Sequence, residues 1–216
     1  MKFMNKGEEK AITEDQFNSM SHGIGAFLAL ASIPLMIITG PKTGMSITST
    51  VVYGLSLIVL YIISSLYHAV SEEKLKKVLK ILDHSTVYLL MAGTYTPFCV
   101  IFLKDTSGWM LLVLVWLLAL TGSVSYAVFG PKARFLYPVT YIIMALVIVG
   151  AVLPLVEILP EISIILLLAG CFAYTIGFAF YIQKNVKWAH SVYHIMVLTG
   201  SILHFFCLIT AFILKF

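Results

Sequence analysis

Residues 48–70 read TSTVVYGLSLIVLYIISSLYHAV, a run of 23 residues without a charged side chain. A helix of about 20 apolar residues crosses the hydrocarbon core of a bilayer, which is roughly 30 Å thick. Because lipid offers no partner to unpaired backbone groups, a run of this kind must be helical. The stretch therefore predicts a transmembrane helix that carries Ser64 and His68 in its last turns.

Apolar runs of similar length continue along the chain and give seven predicted spans, at 19–39, 48–70, 84–103, 109–129, 135–155, 162–182 and 189–214. The 216 residues are 60% hydrophobic and 11% charged, with a mean hydropathy of +0.99. A soluble domain of this length cannot bury so much apolar surface. We predict an all-α integral membrane protein: a polar tail at 1–18 that is not a cleavable signal peptide, and a seven-helix transmembrane bundle at 19–216.

The Lys and Arg residues predict the orientation of the bundle. With the N-terminus in the cytoplasm, eleven of the 14 basic residues lie on the cytoplasmic side and only Lys42, Lys104 and Lys215 lie on the other. This positive-inside bias predicts a cytoplasmic N-terminus and a C-terminus outside. G-protein-coupled receptors have the opposite orientation. The basic residues interleave with acidic ones in the loops, so they do not indicate nucleic-acid binding.

In this orientation, polar side chains from three spans reach one membrane depth. They are Ser64 and His68 at the end of the second span, Asp83 before the third, and His190 and His194 at the start of the seventh. Ionisable groups are costly in lipid and usually have a function there. Residues at i and i+4 share a helix face, so His190 and His194 can offer two imidazoles to one ion.

Three histidines and one water form the open tetrahedral arrangement of catalytic zinc. The pattern therefore predicts Zn²⁺ near the cytoplasmic face, held by His68, His190 and His194. Asp83 would hold the zinc's water or orient a ligand. Each residue also has a structural interpretation: a histidine can be a hydrogen-bonded polar tip at the interface, Asp83 a helix cap, and Ser64 a backbone-bonded serine.

The remaining histidines and the cysteines fit other roles. His204 lies ten residues beyond His194, about 15 Å along a helix, which predicts a buried polar contact and not a ligand of the same ion. His84 points elsewhere on its helix, and His22 would lie behind the ligands with Asn18. The three cysteines fall within apolar spans and are expected to be buried small side chains, Cys99, Cys171 and Cys207.

The sequence is compatible with more than one structure at two further segments. Residues 71–82 (SEEKLKKVLKIL) fit either a short interfacial helix or a simple basic loop. Gly93 to Pro97 could bend the third span and open a cavity that lipid can enter.

Four groups of short motifs resemble those of a known family. The first is SSLYH at 64–68, and the second is LDHS at 82–85 with GTYTP at 93–97. The third is HSVYH at 190–194 with GSILHF at 200–205, and the fourth is Glu14-x3-Asn18-x3-His22. They look like the hemolysin III family, the bacterial branch of the progestin and adipoQ receptors. The resemblance implies a seven-helix bundle in the cell (cytoplasmic) membrane with zinc on His68, His190 and His194, and with Asp83 and Ser64 beside its water.

The resemblance also bears on activity, because the wider superfamily includes alkaline ceramidases. The leading hypothesis is a zinc-dependent hydrolase of lipid amide or ester bonds, with membrane lipids as partners and substrate, Asp83 as general base and Ser64 as a hydrogen-bond donor. A second hypothesis is a non-catalytic sensor or regulator of the membrane's lipid or energetic state, with structural zinc. A pore-forming hemolysin ranks last, because the apolar spans show no polar lumen.

Overall fold

The computed structural model describes residues 12–130, 136–183 and 185–216. Within these ranges the chain forms seven long helices and no strand, and each helix is long and apolar enough to cross a membrane. The predicted all-α seven-helix membrane bundle is confirmed. The helices are α1 (Glu14–Thr39), α2 (Gly44–Ala69), α3 (Glu73–Pro97), α4 (Gly108–Phe129), α5 (Leu136–Ile158), α6 (Glu161–Tyr181) and α7 (Ala189–Lys215).

The first helix begins inside the segment expected to be a tail. Thr13 caps α1 reciprocally with Gln16: the Gln16 amide is 3.2 Å from Thr13 Oγ1, and the Thr13 amide is 3.0 Å from Gln16 Oε1. This capping box satisfies two amides that the first turn cannot pair internally. Asp15 and Asn18 are therefore helical residues with fixed directions.

The third helix also begins earlier than its apolar span. The Glu72 carboxylate accepts hydrogen bonds from the amides of Lys74 and Leu75, at 3.0 and 2.7 Å. No glycine or proline interrupts the chain from Glu73 to Ala92, so nothing ends the helix there. Residues 73–82 are the first turns of α3 and form neither a loop nor a separate interfacial helix.

Beyond Pro97, α3 widens into a π-helical turn, Phe98–Phe102. Proline lacks an amide hydrogen and its ring crowds the carbonyl four residues earlier, so the regular ladder ends there. The amide of Leu103 instead bonds the carbonyl of Phe98 at 3.0 Å. Tyr95, Phe98 and Cys99 from this region line an internal cavity.

Helix packing places α7 beside α1 and α6, while α2 lies between α1 and α3. Gly25 permits a close approach of α1 and α2, because a Cβ atom there would lie 2.8 Å from the Tyr61 ring. By contrast, α5 and α6 make few contacts with each other among the residues that the structure describes. The end of the bundle at which α1, α3 and α7 begin and α2 ends is called the histidine end below.

Candidate metal centre

Three histidines from two helices meet at the histidine end. His68 lies in the last turn of α2, and His190 and His194 lie in the first two turns of α7. Their ring centroids are 4.6 to 5.3 Å apart. One nitrogen from each ring lies within 4.8 Å of the other two. The structure thus brings together the three residues that were predicted to bind metal.

Nε2 atoms face the centre of this three-histidine group. His190 Nε2 and His194 Nε2 are 3.0 Å apart. His68 Nε2 is buried and has no hydrogen-bond partner. Buried polar atoms are rarely left unpaired in proteins. The orphaned nitrogen therefore indicates that the group binds something between its rings.

Asp15 fixes the orientation of His68. Asp15 Oδ1 lies 2.8 Å from His68 Nδ1, and Asp15 Oδ2 lies 3.0 Å from Lys76 Nζ. When Nδ1–H donates to the carboxylate, the lone pair of the ring is on Nε2, directed away from Asp15. A carboxylate on the far nitrogen is the usual partner of a metal-binding histidine.

The prediction from sequence missed both residues: Asp15 was assigned to the polar tail at 1–18, and Lys76 lies in the segment 71–82, whose structure was left open. A signal was available, since Asp15, Asn18 and His22 have the i, i+3, i+7 spacing of one helix face.

His22 fixes the orientation of His194, as Asp15 fixes that of His68. Its Nε2 atom lies 2.7 Å from His194 Nδ1, and its ring packs edge-on against Tyr61 with centroids 5.1 Å apart. His194 Nε2 is therefore left to face His190. The sequence suggested a position for His22 behind the predicted ligands with Asn18, and the structure places it against His194.

These contacts fit a metal ion at the three-histidine group. Zn–N bonds of about 2.0–2.1 Å at tetrahedral angles place two ligand nitrogens about 3.4 Å apart. The 3.0 Å between His190 Nε2 and His194 Nε2 is close to that distance. Two rings are tied by their outer nitrogens to Asp15 and His22. The three ligand nitrogens lie within 4.8 Å of one another, so the group could hold a metal ion.

Asp83 and Ser64 lie at the same end but outside the group. The Asp83 side chain is 14% exposed, and its Oδ2 atom is 3.8 Å from His84 Nδ1. Ser64, one helical turn before His68, interacts with Asp83, yet its buried Oγ atom has no partner with full hydrogen-bond geometry. A largely buried carboxylate and a buried hydroxyl therefore lie beside each other at the histidine end.

The other histidines are directed elsewhere. His84 Nδ1 is 2.9 Å from the carbonyl of Lys80, and its ring stacks on Tyr126 at 4.7 Å. His204 is buried on α7, with Nε2 3.1 Å from the carbonyl of Leu167. The prediction that His204 makes a buried polar contact is confirmed. The cysteines are free; Cys99 and Cys207 are buried, and Cys171 is half-buried.

Comparison with known proteins identifies the family. The family described as "Haemolysin-III related" matches residues 10–205, a range that includes every residue of the site described so far. This chain belongs to the haemolysin III family.

Two curated members of the haemolysin III family align with most of the chain. "Hemolysin-3" of Bacillus cereus is 39% identical over 202 residues, covering 92% of this chain and 91% of the relative. "Hemolysin-3 homolog" of Bacillus subtilis (strain 168) is 38% identical over 200 residues, covering 92% and 94%. The family assignment that the motifs suggested is confirmed.

Two cavities of different character adjoin the three-histidine group of this haemolysin III protein. A cleft of about 580 Å³ is lined by residues of α1, α2 and α7, namely Thr13, Glu14, Asp15, Asn18, Tyr67, His68 and His190. A second cavity of about 450 Å³ has mainly apolar walls from α2, α3, α5, α6 and α7, and it includes Asp83, His84 and His190. His190 lines both, so the three-histidine group lies between a polar cleft and an apolar cavity.

Proposed function

We propose that this haemolysin III protein is a zinc-dependent hydrolase that cleaves an amide or ester bond of a membrane lipid. The observation that carries the proposal is the position of His190 in the walls of both cavities. A lipid bound there has its chains in the apolar cavity and its polar head, together with water, at the polar cleft. The reacting bond then lies beside the three histidines.

Zinc is the metal that best suits the donor set. Three imidazoles leave one coordination position open, as in catalytic zinc sites, and imidazole is a preferred ligand of zinc. When bound, zinc would supply Lewis-acid polarisation of a carbonyl oxygen or of water. Asp15 and His22 contribute by holding His68 and His194 in the tautomers that present Nε2.

Asp83 is proposed as the general base. It is the carboxylate in the wall of the apolar cavity, where His190 is a neighbour in the lining. It takes a proton from the attacking water and returns it to the leaving amine or alcohol as the carbon–nitrogen or carbon–oxygen bond breaks. The Ser64 hydroxyl, buried beside Asp83, donates a hydrogen bond to the oxygen that gains negative charge.

The charge pattern supports placing this chemistry at the cytoplasmic face of the cell membrane. Lys76 and the neighbouring lysines of the first turns of α3, Lys74, Lys77 and Lys80, lie at the histidine end. Basic residues accumulate on the cytoplasmic side and attract anionic headgroups there. Lipid could enter sideways where α5 and α6 barely touch.

The test uses purified protein in detergent, loaded with zinc, and a total lipid extract. Mass spectrometry should detect fatty acid or amine released by the wild type. Release should be lost in Asp83→Asn and kept in Asp105→Asn, which makes the same change at an exposed carboxylate outside both cavities. Absence of any released product from the extract, with one zinc bound per chain, contradicts the proposal and favours a sensor or regulator with structural zinc.

The printed name of the Bacillus cereus relative, "Hemolysin-3", supplies a second candidate, lysis of membranes. Dye leakage from vesicles of diether phospholipid, which has no acyl ester or amide bond, separates lysis from hydrolysis. Leakage that Asp83→Asn leaves unchanged would assign lysis to the bundle itself and not to the hydrolytic site.

A further inference from the structure

The wall of the apolar cavity includes an imidazole far from the metal centre. His204 lies on α7, ten residues after His194, which is about 15 Å along the helix. It lines the cavity together with Cys171 of α6. It is not part of the three-histidine group, and the proposed hydrolysis does not use it.

The ring of His204 is held in one orientation by α6. Its Nε2 atom lies 3.1 Å from the carbonyl of Leu167. A Cβ atom at Gly170 would lie 2.3 Å from the ring, so the glycine provides the space that the ring fills. Tyr174 packs edge-on against it with centroids 5.4 Å apart.

This orientation determines what His204 offers to the cavity. A carbonyl oxygen can only accept, so Nε2 must carry the hydrogen, and in a neutral imidazole the other nitrogen is then an acceptor. That nitrogen, Nδ1, is buried and has no partner. A buried acceptor without a donor is unfavourable, so its presence requires an explanation.

Hydroxyl groups also line the cavity, and most of them already have a hydrogen-bond partner. Several lining hydroxyls bond to backbone carbonyls or to a serine, namely those of Thr94, Tyr95, Tyr141, Tyr174 and Thr175. The Cys171 sulfur, 3.8 Å from His204 Nε2, is only a weak hydrogen-bonding atom. His204 Nδ1 is therefore a strong acceptor without a partner on a residue that lines the cavity.

We propose that His204 Nδ1 accepts a hydrogen bond from an alcohol hydroxyl carried partway along the apolar chain of a lipid bound in this cavity. The polar head of that lipid lies at the metal centre and the hydroxyl lies near the middle of the bundle, so the ligand is recognised at two points. The assignment of a hydroxylated lipid as substrate rests on the proposed hydrolase, whereas the hydroxyl contact itself does not.

The probes are stearic acid and stearic acid hydroxylated at mid-chain, bound to the zinc-loaded full chain in detergent without any turnover. We expect wild type to bind the hydroxylated acid about tenfold more tightly, the effect of about one buried hydrogen bond. His204→Phe keeps a planar ring and removes the acceptor, and it should abolish the preference while stearate affinity changes by less than about twofold. Thr94→Val is the matched control, because the Thr94 hydroxyl is bonded to its own helix, and it should keep the preference.

A second measurement covers the case in which His204→Phe does not fold. In wild type labelled with ¹⁵N-histidine, the hydroxylated acid should shift the His204 Nδ1 resonance and stearic acid should not. Equal affinities of the two acids across several mid-chain hydroxyl positions, or a preference that survives His204→Phe, would overturn the proposal. A preference without any lipid hydrolysis would leave the hydroxyl contact standing and remove the hydrolase.

Discussion

Asp15 Oδ1 lies 2.8 Å from His68 Nδ1 and joins the first turn of α1 to the last turn of α2 at the metal centre. Removing a partner behind a metal-binding histidine typically weakens metal affinity by about 10–100-fold. We therefore expect Asp15→Ala to lose zinc affinity by about this factor while remaining folded. Competition with a zinc chelator of known affinity measures the change.

The neighbouring charges provide controls for Asp15. Glu14→Ala removes an adjacent carboxylate of the same helix turn, and the wild-type affinity should be kept. Lys76→Met should have an intermediate effect, because the Lys76–Asp15 pair is partly exposed, at 34% and 53%, and exposed ion pairs contribute about 1 kcal/mol or less. Equal losses in Asp15→Ala and Glu14→Ala would show a general charge effect instead of a specific contact.

His22 should act on zinc through His194. His22→Phe keeps a ring against Tyr61 but removes the nitrogen that lies 2.7 Å from His194 Nδ1. Zinc affinity should fall by about tenfold. His204→Phe changes a buried histidine of the same helix bundle that lies outside the metal centre, and its zinc affinity should match wild type. An unchanged affinity in His22→Phe would mean that His194 needs no partner on Nδ1.

How far the sequence predicts this site depends on which residues are considered. His68, His190 and His194 were predicted, because the positive-inside rule aligns helix ends that are more than 120 residues apart in sequence. Asp15 was not, because an acidic residue next to Glu14 in a polar stretch looks like solvent-exposed tail until the Thr13 capping box extends α1 over it.

Contacts that depend on helix packing also could not be predicted from the sequence. The pairing of His22 with His194 requires α1 to approach α2 and α7 closely, which the Gly25–Tyr61 contact permits. The apolar cavity depends on the irregular turn that follows Pro97 and on how α5 and α6 pack against α3 and α7. Hydrophobic periodicity predicts that these helices exist but carries no information on the spaces between them.

Asp83 should be needed for lipid hydrolysis and not for metal binding. Asp83→Asn keeps the side-chain shape but cannot take a proton, so release of fatty acid should fall by about 10²–10⁴-fold. Bound zinc should remain near the wild-type level, because Asp83 lies outside the three-histidine group. Lipid release and zinc content are measured on the same preparation. Joint loss of both would assign Asp83 a structural role.

A bulky residue in the apolar cavity should discriminate against long chains. Val197 of α7 lines the cavity, and Val197→Trp should slow hydrolysis of a long-chain substrate by about 100-fold through misplacement of the reacting bond. A substrate with a short acyl chain should be affected far less. Val113→Trp, on a 58% exposed position of α4, serves as the control. Equal slowing for both chain lengths would mean that the chain does not occupy this cavity.

The most direct measurement is the metal content of the purified, unchelated protein, determined by elemental mass spectrometry beside His194→Ala and Asp83→Ala. His194 belongs to the three-histidine group and Asp83 does not. The account predicts about one zinc per chain in wild type and in Asp83→Ala, and almost none in His194→Ala. A folded wild type without zinc, or zinc retained in His194→Ala, would contradict it.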